Sequence, residues 1–117
     1  MKNIFIPLKK QFYEAFRDGS KVWELRGNKG QFNYSRIIPG RKAILAWGYG
    51  YPRLVAHVVE VRTYDSIAQI PKDIYNLTIP PKLQNPNNLG LALDLARKYN
   101  GWGFVLIKME IEHEIMG

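Results

Sequence analysis

Apolar residues along this chain follow two spacings, one typical of strands and the other typical of helices. Apolar and polar residues alternate over residues 22–26 and 104–115, which predicts strands that turn one face to a core. Residues 53–62 are rich in valine and apolar on both faces at their middle, as in a strand inside a barrel or beneath a helix. Short apolar segments at residues 4–8 and 43–47 complete a set of five predicted strands.

Two segments have the spacing of helices. Residues 9–18 are followed by Gly19 as a C-terminal stop, and they belong to one apolar face made of Leu8, Phe12, Ala15 and Phe16. A second helix is predicted over residues 88–99, with Asn88 as its cap. Residues 66–70 favour one helical turn, whereas four prolines within residues 71–88 predict an irregular segment.

The predicted order is strand, helix, strand, loop (residues 27–40), two strands, irregular segment, helix and strand. This order indicates the α+β class. We expect a single domain over residues 1–117, because no linker or repeat interrupts a chain of single-core length. The leading architecture is a small β-barrel of about five to six strands with two main helices.

The amino-acid composition limits both the expected cellular compartment and the kinds of metal and catalytic site that the chain can form. The chain has no cysteine, which excludes disulfides, thiolate zinc sites and a cysteine nucleophile, and which is typical of a reducing cytoplasm. Its first seven residues are too short an apolar start for a signal peptide, and no apolar run approaches the ~18 residues of a membrane span. We therefore expect a cytoplasmic protein without a membrane partner. His57 and His113, the only histidines, have no metal-ligand spacing, so we expect no metal and no cofactor.

The basic charge is confined to one half of the chain. Residues 1–53 carry 11 basic and three acidic residues, a net charge of +8, whereas residues 54–117 carry a net charge of −1. Such asymmetry predicts an anionic partner, most often the phosphates of a nucleic acid or a nucleotide. The alternative is a soluble surface with no partner for this charge.

Three charged residues lie together at the start of the predicted second strand. Glu24 and Arg26 are two residues apart and share one strand face, while Trp23 and Leu25 share the other and face the core. The polar pair then faces outward or lines a cleft beside the helix end, within reach of Lys21. There, Lys21 and Arg26 can bind an anion while Glu24 accepts from an exocyclic amine of a base. A desolvated Lys21 can instead act as a base or nucleophile, with Glu24 assisting proton transfer. The remaining alternative is an exposed ion pair, worth ~0–1 kcal/mol.

Cations and aromatic rings alternate in the segment that follows, where no acidic residue occurs between Glu24 and Glu60. Cations there can track a phosphate backbone, and we expect this role for Arg41, Lys42 and Arg53. Aromatic rings stack on unpaired bases, and the glycine-rich sequence Trp47-Gly48-Tyr49-Gly50-Tyr51 places Tyr49 and Tyr51 beside an opening. For Trp47 we expect a core position, and for Trp102 a plug at one barrel end.

The motif Gly19-x-Lys21-x-x-Glu24-x-Arg26 resembles that of the ASCH domains, which are related to the PUA-like barrels. The turn Pro39-Gly40 before a strand and the valine-rich strand from Arg53 to Val61 are similar to later features of that family. The resemblance implies a β-barrel with a cleft lined by the motif, and RNA or a nucleotide as ligand. Some members are ribonucleases or amidohydrolases of acetylated cytidine that use a lysine, a threonine and a later glutamate. Lys21 matches that lysine, whereas Glu24 stands at the threonine position.

The leading hypothesis is therefore a binding module for RNA or a nucleotide. Lys21 and Arg26 contact phosphate or base, Glu24 reads a base edge, Tyr49 and Tyr51 stack, and the other cations hold the backbone. The rival hypothesis is an enzyme, either a metal-independent ribonuclease or a hydrolase of a modified nucleoside, with Lys21 as base or nucleophile. A weaker third option is a protein-interaction domain.

Overall fold

The computed structural model describes residues 3–29, 32, 36–78, 97–98 and 101–117. Within these residues the chain forms an α+β fold with one five-stranded mixed sheet, which confirms the predicted class. The strands are β1 (Ile4–Leu8), β2 (Trp23–Gly27), β3 (Lys42–Trp47), β4 (Arg53–Tyr64) and β5 (Phe104–Ile115). The helices are α1 (Lys10–Asp18) and α2 (Lys72–Leu77). All five predicted strands are present, and β4 continues two residues beyond its predicted end.

The sheet is open at two edges. Its strand order is β1-β3-β4-β5-β2, with β1 parallel to β3 and the other pairings antiparallel. No ladder joins the edge strands β1 and β2 within the described residues, so closure into a barrel stays a prediction. One side chain spans the two edges: Arg26 Nη2 of β2 donates a hydrogen bond to the carbonyl oxygen of Pro7 in β1, at 2.7 Å.

Both faces of the sheet are covered by apolar side chains. On one face a large core joins alternate residues of β1, β3, β4 and β5 to α1, including Ile6, Phe16, Leu45, Leu54 and Ile107. On the other face a smaller core packs α2 against β2 and β5, through Trp23, Ile70, Ile74, Phe104 and Leu106. The first four residues of β5 are therefore buried on both sides of the sheet, whereas buried and exposed positions alternate further along.

The helices depart from the sequence prediction at one place. Residues 72–77 form α2, so the prediction of an irregular segment over residues 71–88 is wrong there. Pro71 precedes the first helical residue, a position where a missing N–H costs nothing and the fixed φ favours a helix. The turn predicted at residues 66–70 is a short 3₁₀ helix, Ile67–Gln69. The predicted helix over residues 88–99 lies outside the described residues except for residues 97–98, which are helical.

Candidate functional site

The end of α1 determines where the charged motif begins. Gly19 adopts a left-handed conformation with φ of 85°, and its N–H donates to the carbonyl of Phe16. This glycine turn reverses the chain, so the backbone N–H of Lys21 returns to donate to the carbonyl of Ala15 at 3.1 Å. The side chain of Lys21 consequently enters the interior beneath α1 rather than the solvent.

Lys21 is almost completely buried, with 1 % of its surface exposed. Its ammonium donates to the carbonyl oxygens of Trp23 and Thr78, and it lies 3.2 Å from Glu24 Oε1. An ammonium has three N–H donors, so these three acceptors use all of them. Burial lowers the pKa of the Lys21 ammonium below its usual value, and the neighbouring Glu24 carboxylate opposes that shift.

The rings of Phe12 and Phe16 add a further contact to this ammonium. Lys21 Nζ lies 5.3 Å from the Phe12 ring centroid and 5.1 Å from that of Phe16. The two phenylalanines are four residues apart on α1, so they present adjacent rings on one helix face. Their negative ring faces stabilise a cation that water does not reach.

Glu24 lies between two cations. Its side chain is 8 % exposed, and Oε2 accepts from Arg26 Nε at 3.0 Å and Nη2 at 2.9 Å, while Oε1 faces Lys21. Both carboxylate oxygens are thus engaged within the protein. Lys21, Glu24 and Arg26 form one continuous group of formal charge +1, named here the Lys21–Glu24–Arg26 cluster.

Arg26 is the member of this cluster that reaches solvent, with 24 % of its side chain exposed. Nε and Nη2 are held by Glu24 and by the carbonyl of Pro7. The ring of Phe32 lies 4.8 Å from the guanidinium carbon. Among the described residues no acceptor lies at hydrogen-bond distance from Nη1, so within that part of the chain its two N–H donors have no partner.

The exposed ion pair considered from the sequence does not describe this motif. In antiparallel pairs, directly opposite residues share a face, and Glu24 and Arg26 lie opposite Ile107 and Val105 of the large core. The pair therefore faces inward, toward α1, and not outward. A true exposed pair with the same spacing occurs in β4, where Glu60 and Arg62 contact each other with side chains about 40 % exposed.

Tyr49 and Tyr51 were expected to stack on a ligand held by the motif, and Arg53 was expected to contact its backbone, but the structure places all three residues away from the motif. Phe5 lies on the face of β1 opposite to Ile4 and Ile6, and the Tyr49 ring stacks on it at 5.9 Å between centroids. Arg53 lies over the Tyr51 ring at 4.4 Å. The structure therefore separates these three residues from the Lys21–Glu24–Arg26 cluster by the thickness of the sheet.

The other predicted backbone cations are also dispersed. Arg41 donates to the carbonyl of Arg36, and exposed Lys42 begins β3. Arg53 lies opposite Ala46, four residues along β3 from Lys42, a separation of about 13 Å along the strand. These cations do not form one patch with the motif.

Two tryptophan predictions are wrong. Trp47, expected in the core, is 48 % exposed at the end of β3. Trp102, expected to plug a barrel end, is 53 % exposed, and Lys29 Nζ lies 5.1 Å from its ring. Asn28 N donates to the carbonyl of Gly103, so this exposed ring and cation lie where the β2–β5 ladder ends, next to Arg26 in the chain.

A surface pocket of about 450 Å³ lies between the end of α1 and strands β4 and β5. Its lining includes Gly19 and Lys21 but neither Glu24 nor Arg26. Because all three donors of Lys21 are engaged, the ammonium has no donor left for a ligand in this pocket. The motif thus does not line one cleft as a set.

The described residues contain neither a cluster of metal ligands nor a membrane-spanning helix. No group of three or more histidine, aspartate or glutamate side chains that could hold a metal ion occurs in the described part of the chain. Over that part of the chain, no helix has the length and apolar character needed to cross a membrane.

Some residues that contact the Lys21–Glu24–Arg26 cluster were not identified from the sequence as part of the site. Thr78, whose carbonyl accepts from Lys21, lies 57 residues away in the chain, inside a segment predicted to be irregular. Phe12 and Phe16 were predicted only as core residues of α1. Their spacing of four residues, just before a glycine turn and a lysine, is the signal that could have indicated a ring pair beneath the ammonium.

Comparison with known proteins gives structural neighbours only. No known family profile and no curated protein matches the chain. The hypothetical protein PH0355, known from a crystal structure, is 19 % identical with a TM-score of 0.69, over 95 % of this chain and 100 % of that one. Protein PF0455 from Pyrococcus furiosus, solved by NMR, is 18 % identical with a TM-score of 0.60, over 94 % and 97 % of the two chains. At these identities the similarity shows a shared fold.

Proposed function

We propose that this protein binds RNA or a nucleotide and that Arg26 makes the decisive contact. The observation that carries the proposal is the partly exposed guanidinium, fixed on one side by Glu24 and Pro7, while Nη1 has no acceptor among the residues that the structure describes. A planar guanidinium held in this way donates to a phosphate oxygen or to acceptors on a base edge with little loss of side-chain entropy.

The electrostatics of the cluster support an anionic ligand. Two cations share one carboxylate, so a formal charge of +1 remains where burial weakens solvent screening. The chain as a whole carries +7, which attracts a phosphate backbone over a longer range. In this assignment Arg26 contacts the ligand, while Glu24 and Lys21 act as positioning residues that fix the guanidinium.

The surroundings of Arg26 supply groups suited to a base. Phe32 lies against one side of the guanidinium, and Lys29 with the exposed ring of Trp102 lies at the adjoining end of β2 and β5. An exposed indole beside a cation can stack on an unpaired base while the cation contacts the phosphate. These residues take the role that the sequence analysis gave to Tyr49 and Tyr51 near the motif.

We also assign the chain to the ASCH and PUA-like barrels as part of this proposal. The motif at residues 19–26 and the hydrogen bond that joins the two sheet edges both support that assignment. The lack of cysteine is compatible with a cytoplasmic site of action.

Binding of labelled RNA by the variant Arg26→Gln tests the main proposal. We expect the variant to bind about tenfold or more weakly, because a charged hydrogen bond is worth ~1.5–3 kcal/mol. Arg62→Gln is the matched control, since Arg62 also pairs with a glutamate two residues before it in a strand. Fluorescence anisotropy with a 12-nucleotide RNA measures both variants. Equal affinities of the two variants would refute the role of Arg26.

A second function is favoured by the lowered pKa of Lys21, which is a property of catalytic lysines. The function would be hydrolysis of RNA or of a modified nucleoside. Incubation of wild type and Lys21→Ala with mixed RNA and with acetylated cytidine tests it, with circular dichroism as the check on folding. Product formed by wild type and absent with the folded variant would establish the enzyme. Binding without product would support the binding protein.

A further inference from the structure

Three aromatic rings are exposed together where β3 passes to β4. Trp47 is 48 % exposed, Tyr49 78 % and Tyr51 55 %. They lie within five residues of one another, and the group is named here the aromatic turn. Large exposed rings lose favourable burial, so three of them within one short turn indicate a contact surface.

Each ring of the aromatic turn has a partner on one side. Lys10 Nζ lies 5.2 Å from the Trp47 ring, and Tyr49 stacks on Phe5 with 17° between the planes. Arg53 lies 4.4 Å from the Tyr51 ring. These contacts restrain the rings before any ligand arrives, which reduces the entropy lost on binding.

Arg53 also holds the turn itself. Its Nε donates to the carbonyl of Gly50 and its Nη2 to the carbonyl of Tyr49, both at 3.1 Å. The backbone that carries the tyrosines is therefore braced by the same cation that lies over Tyr51. Because these hydrogen bonds hold its backbone, the turn keeps its tyrosine rings in one arrangement.

We propose that the aromatic turn is a stacking surface for unpaired bases of a single-stranded nucleic acid, separate from the Arg26 site. Restrained tyrosine rings next to Arg53 match the alternation of flat bases and phosphates along such a strand. Tyr49 and Tyr51 lie on the face of the sheet opposite to the Lys21–Glu24–Arg26 cluster, so they provide a second point of attachment. Trp47, which lies opposite Leu8 and next to Lys10, extends the turn toward the α1 side. The inference rests on nucleic acid as the ligand of the proposed function but not on Arg26.

The test measures anisotropy of a 12-nucleotide single-stranded RNA and of the same sequence as a duplex. We expect Tyr49→Leu and Tyr51→Leu each to weaken single-strand binding about fivefold or more, because each removes one base–ring stack. Tyr49→Phe keeps the ring and is expected to bind as wild type, as is Val59→Ala, which changes an exposed apolar residue of β4. Duplex binding is expected to stay unchanged in all four variants.

The outcomes separate this inference from the Arg26 proposal. Unchanged single-strand affinity in both leucine variants overturns the stacking surface, and a loss in Arg26→Gln in the same series leaves the Arg26 site standing. If the leucine variants bind single-stranded RNA more weakly and Arg26→Gln does not, the result supports the stacking surface and refutes the proposed role of Arg26. If the leucine variants lose the same affinity for single-stranded RNA and for the duplex, the rings do not stack on unpaired bases and the proposal is overturned. Self-association of wild type that Tyr49→Leu abolishes, without an effect on RNA, identifies a protein contact and also overturns it.

Discussion

Replacing Glu24 by glutamine removes the one negative charge from the Lys21–Glu24–Arg26 cluster while conserving side-chain volume. The side chains of Lys21 and Glu24 are 0 % and 8 % exposed, so the variant leaves a buried ammonium that has only neutral acceptors and no counter-charge. Removing one partner of a buried ion pair costs ~3–5 kcal/mol. A domain of this size is stable by only ~5–15 kcal/mol, so we expect Glu24→Gln to lose a third or more of its free energy of unfolding.

Urea unfolding at pH 7, followed by tryptophan fluorescence, measures this loss, because Trp23 is buried in the smaller core. Glu60→Gln is the matched control, since Glu60 also pairs with an arginine two residues later, on an exposed strand face. We expect the urea midpoint of the control to equal that of wild type. Adding Lys21→Met to Glu24→Gln is expected to recover part of the loss, because no buried cation then lacks a counter-charge.

The dependence of the effect on pH follows from the lowered pKa of Lys21. The unfolded chain keeps the usual lysine pKa of 10.5, and Glu24 opposes the lowering in the folded protein. Without Glu24 the folded pKa falls further, so between that pKa and 10.5 the unfolded state binds more protons. The free energy of unfolding of Glu24→Gln must therefore rise with pH across this interval, more than that of wild type. If Glu24→Gln lowers the free energy of unfolding at pH 7 by no more than Glu60→Gln does, or by an amount independent of pH, Glu24 is not the counter-charge that stabilises buried Lys21.

Three further predictions follow from other contacts. Tyr13 donates to Glu114 Oε2 at 2.7 Å, and burial together with that carboxylate raises the pKa of the tyrosine; Tyr13→Phe should therefore lower the free energy of unfolding by about 1–2 kcal/mol. The difference in free energy of unfolding between wild type and Tyr13→Phe has its full size below pH 10, the pKa of tyrosine in the unfolded chain, and it decreases above that pH. Urea unfolding at pH 8 and at pH 11 measures this decrease. Gly103→Ala places a Cβ 2.9 Å from the carbonyl oxygen of Tyr64, at a φ of +79°. Gly101→Ala has a similar φ of +83°, but its Cβ meets no atom within 4 Å. Thermal unfolding should therefore show a larger loss of stability for Gly103→Ala than for Gly101→Ala. RNA affinity should fall linearly on a logarithmic salt axis, with a slope about one unit smaller in Arg26→Gln, and an affinity indifferent to salt would contradict a phosphate contact.

The strands could be predicted from the sequence because local alternation determines them. Apolar residues at every second position place β1 and β5 on the core, and that pattern needs no knowledge of the partner strand. The prediction failed at α2, where Pro71 was taken as a break although it is the cap residue immediately before the helix. Whether the sheet closes depends on the pairing of β1 with β2, which no local pattern encodes.

The residues of the candidate site could be identified, but their environment could not. Spacing placed Glu24 and Arg26 on one face, as observed, but their burial depends on which face of β5 pairs with them. The ammonium of Lys21 is held by Thr78, which is remote in the chain. Tyr49 was expected near the motif because basic residues surround it in the sequence, yet its ring stacks on Phe5 on the opposite face of the sheet.

One guanidinium both faces the proposed ligand and links the two edges of the sheet. Its atoms are coplanar, so a ligand that tilts the group at Nη1 also displaces Nη2 from the carbonyl of Pro7. Binding at the proposed site and the hydrogen bond between the two sheet edges therefore depend on the same planar group. A ligand that fits the existing plane leaves this hydrogen bond in place, and a ligand that tilts the group breaks it.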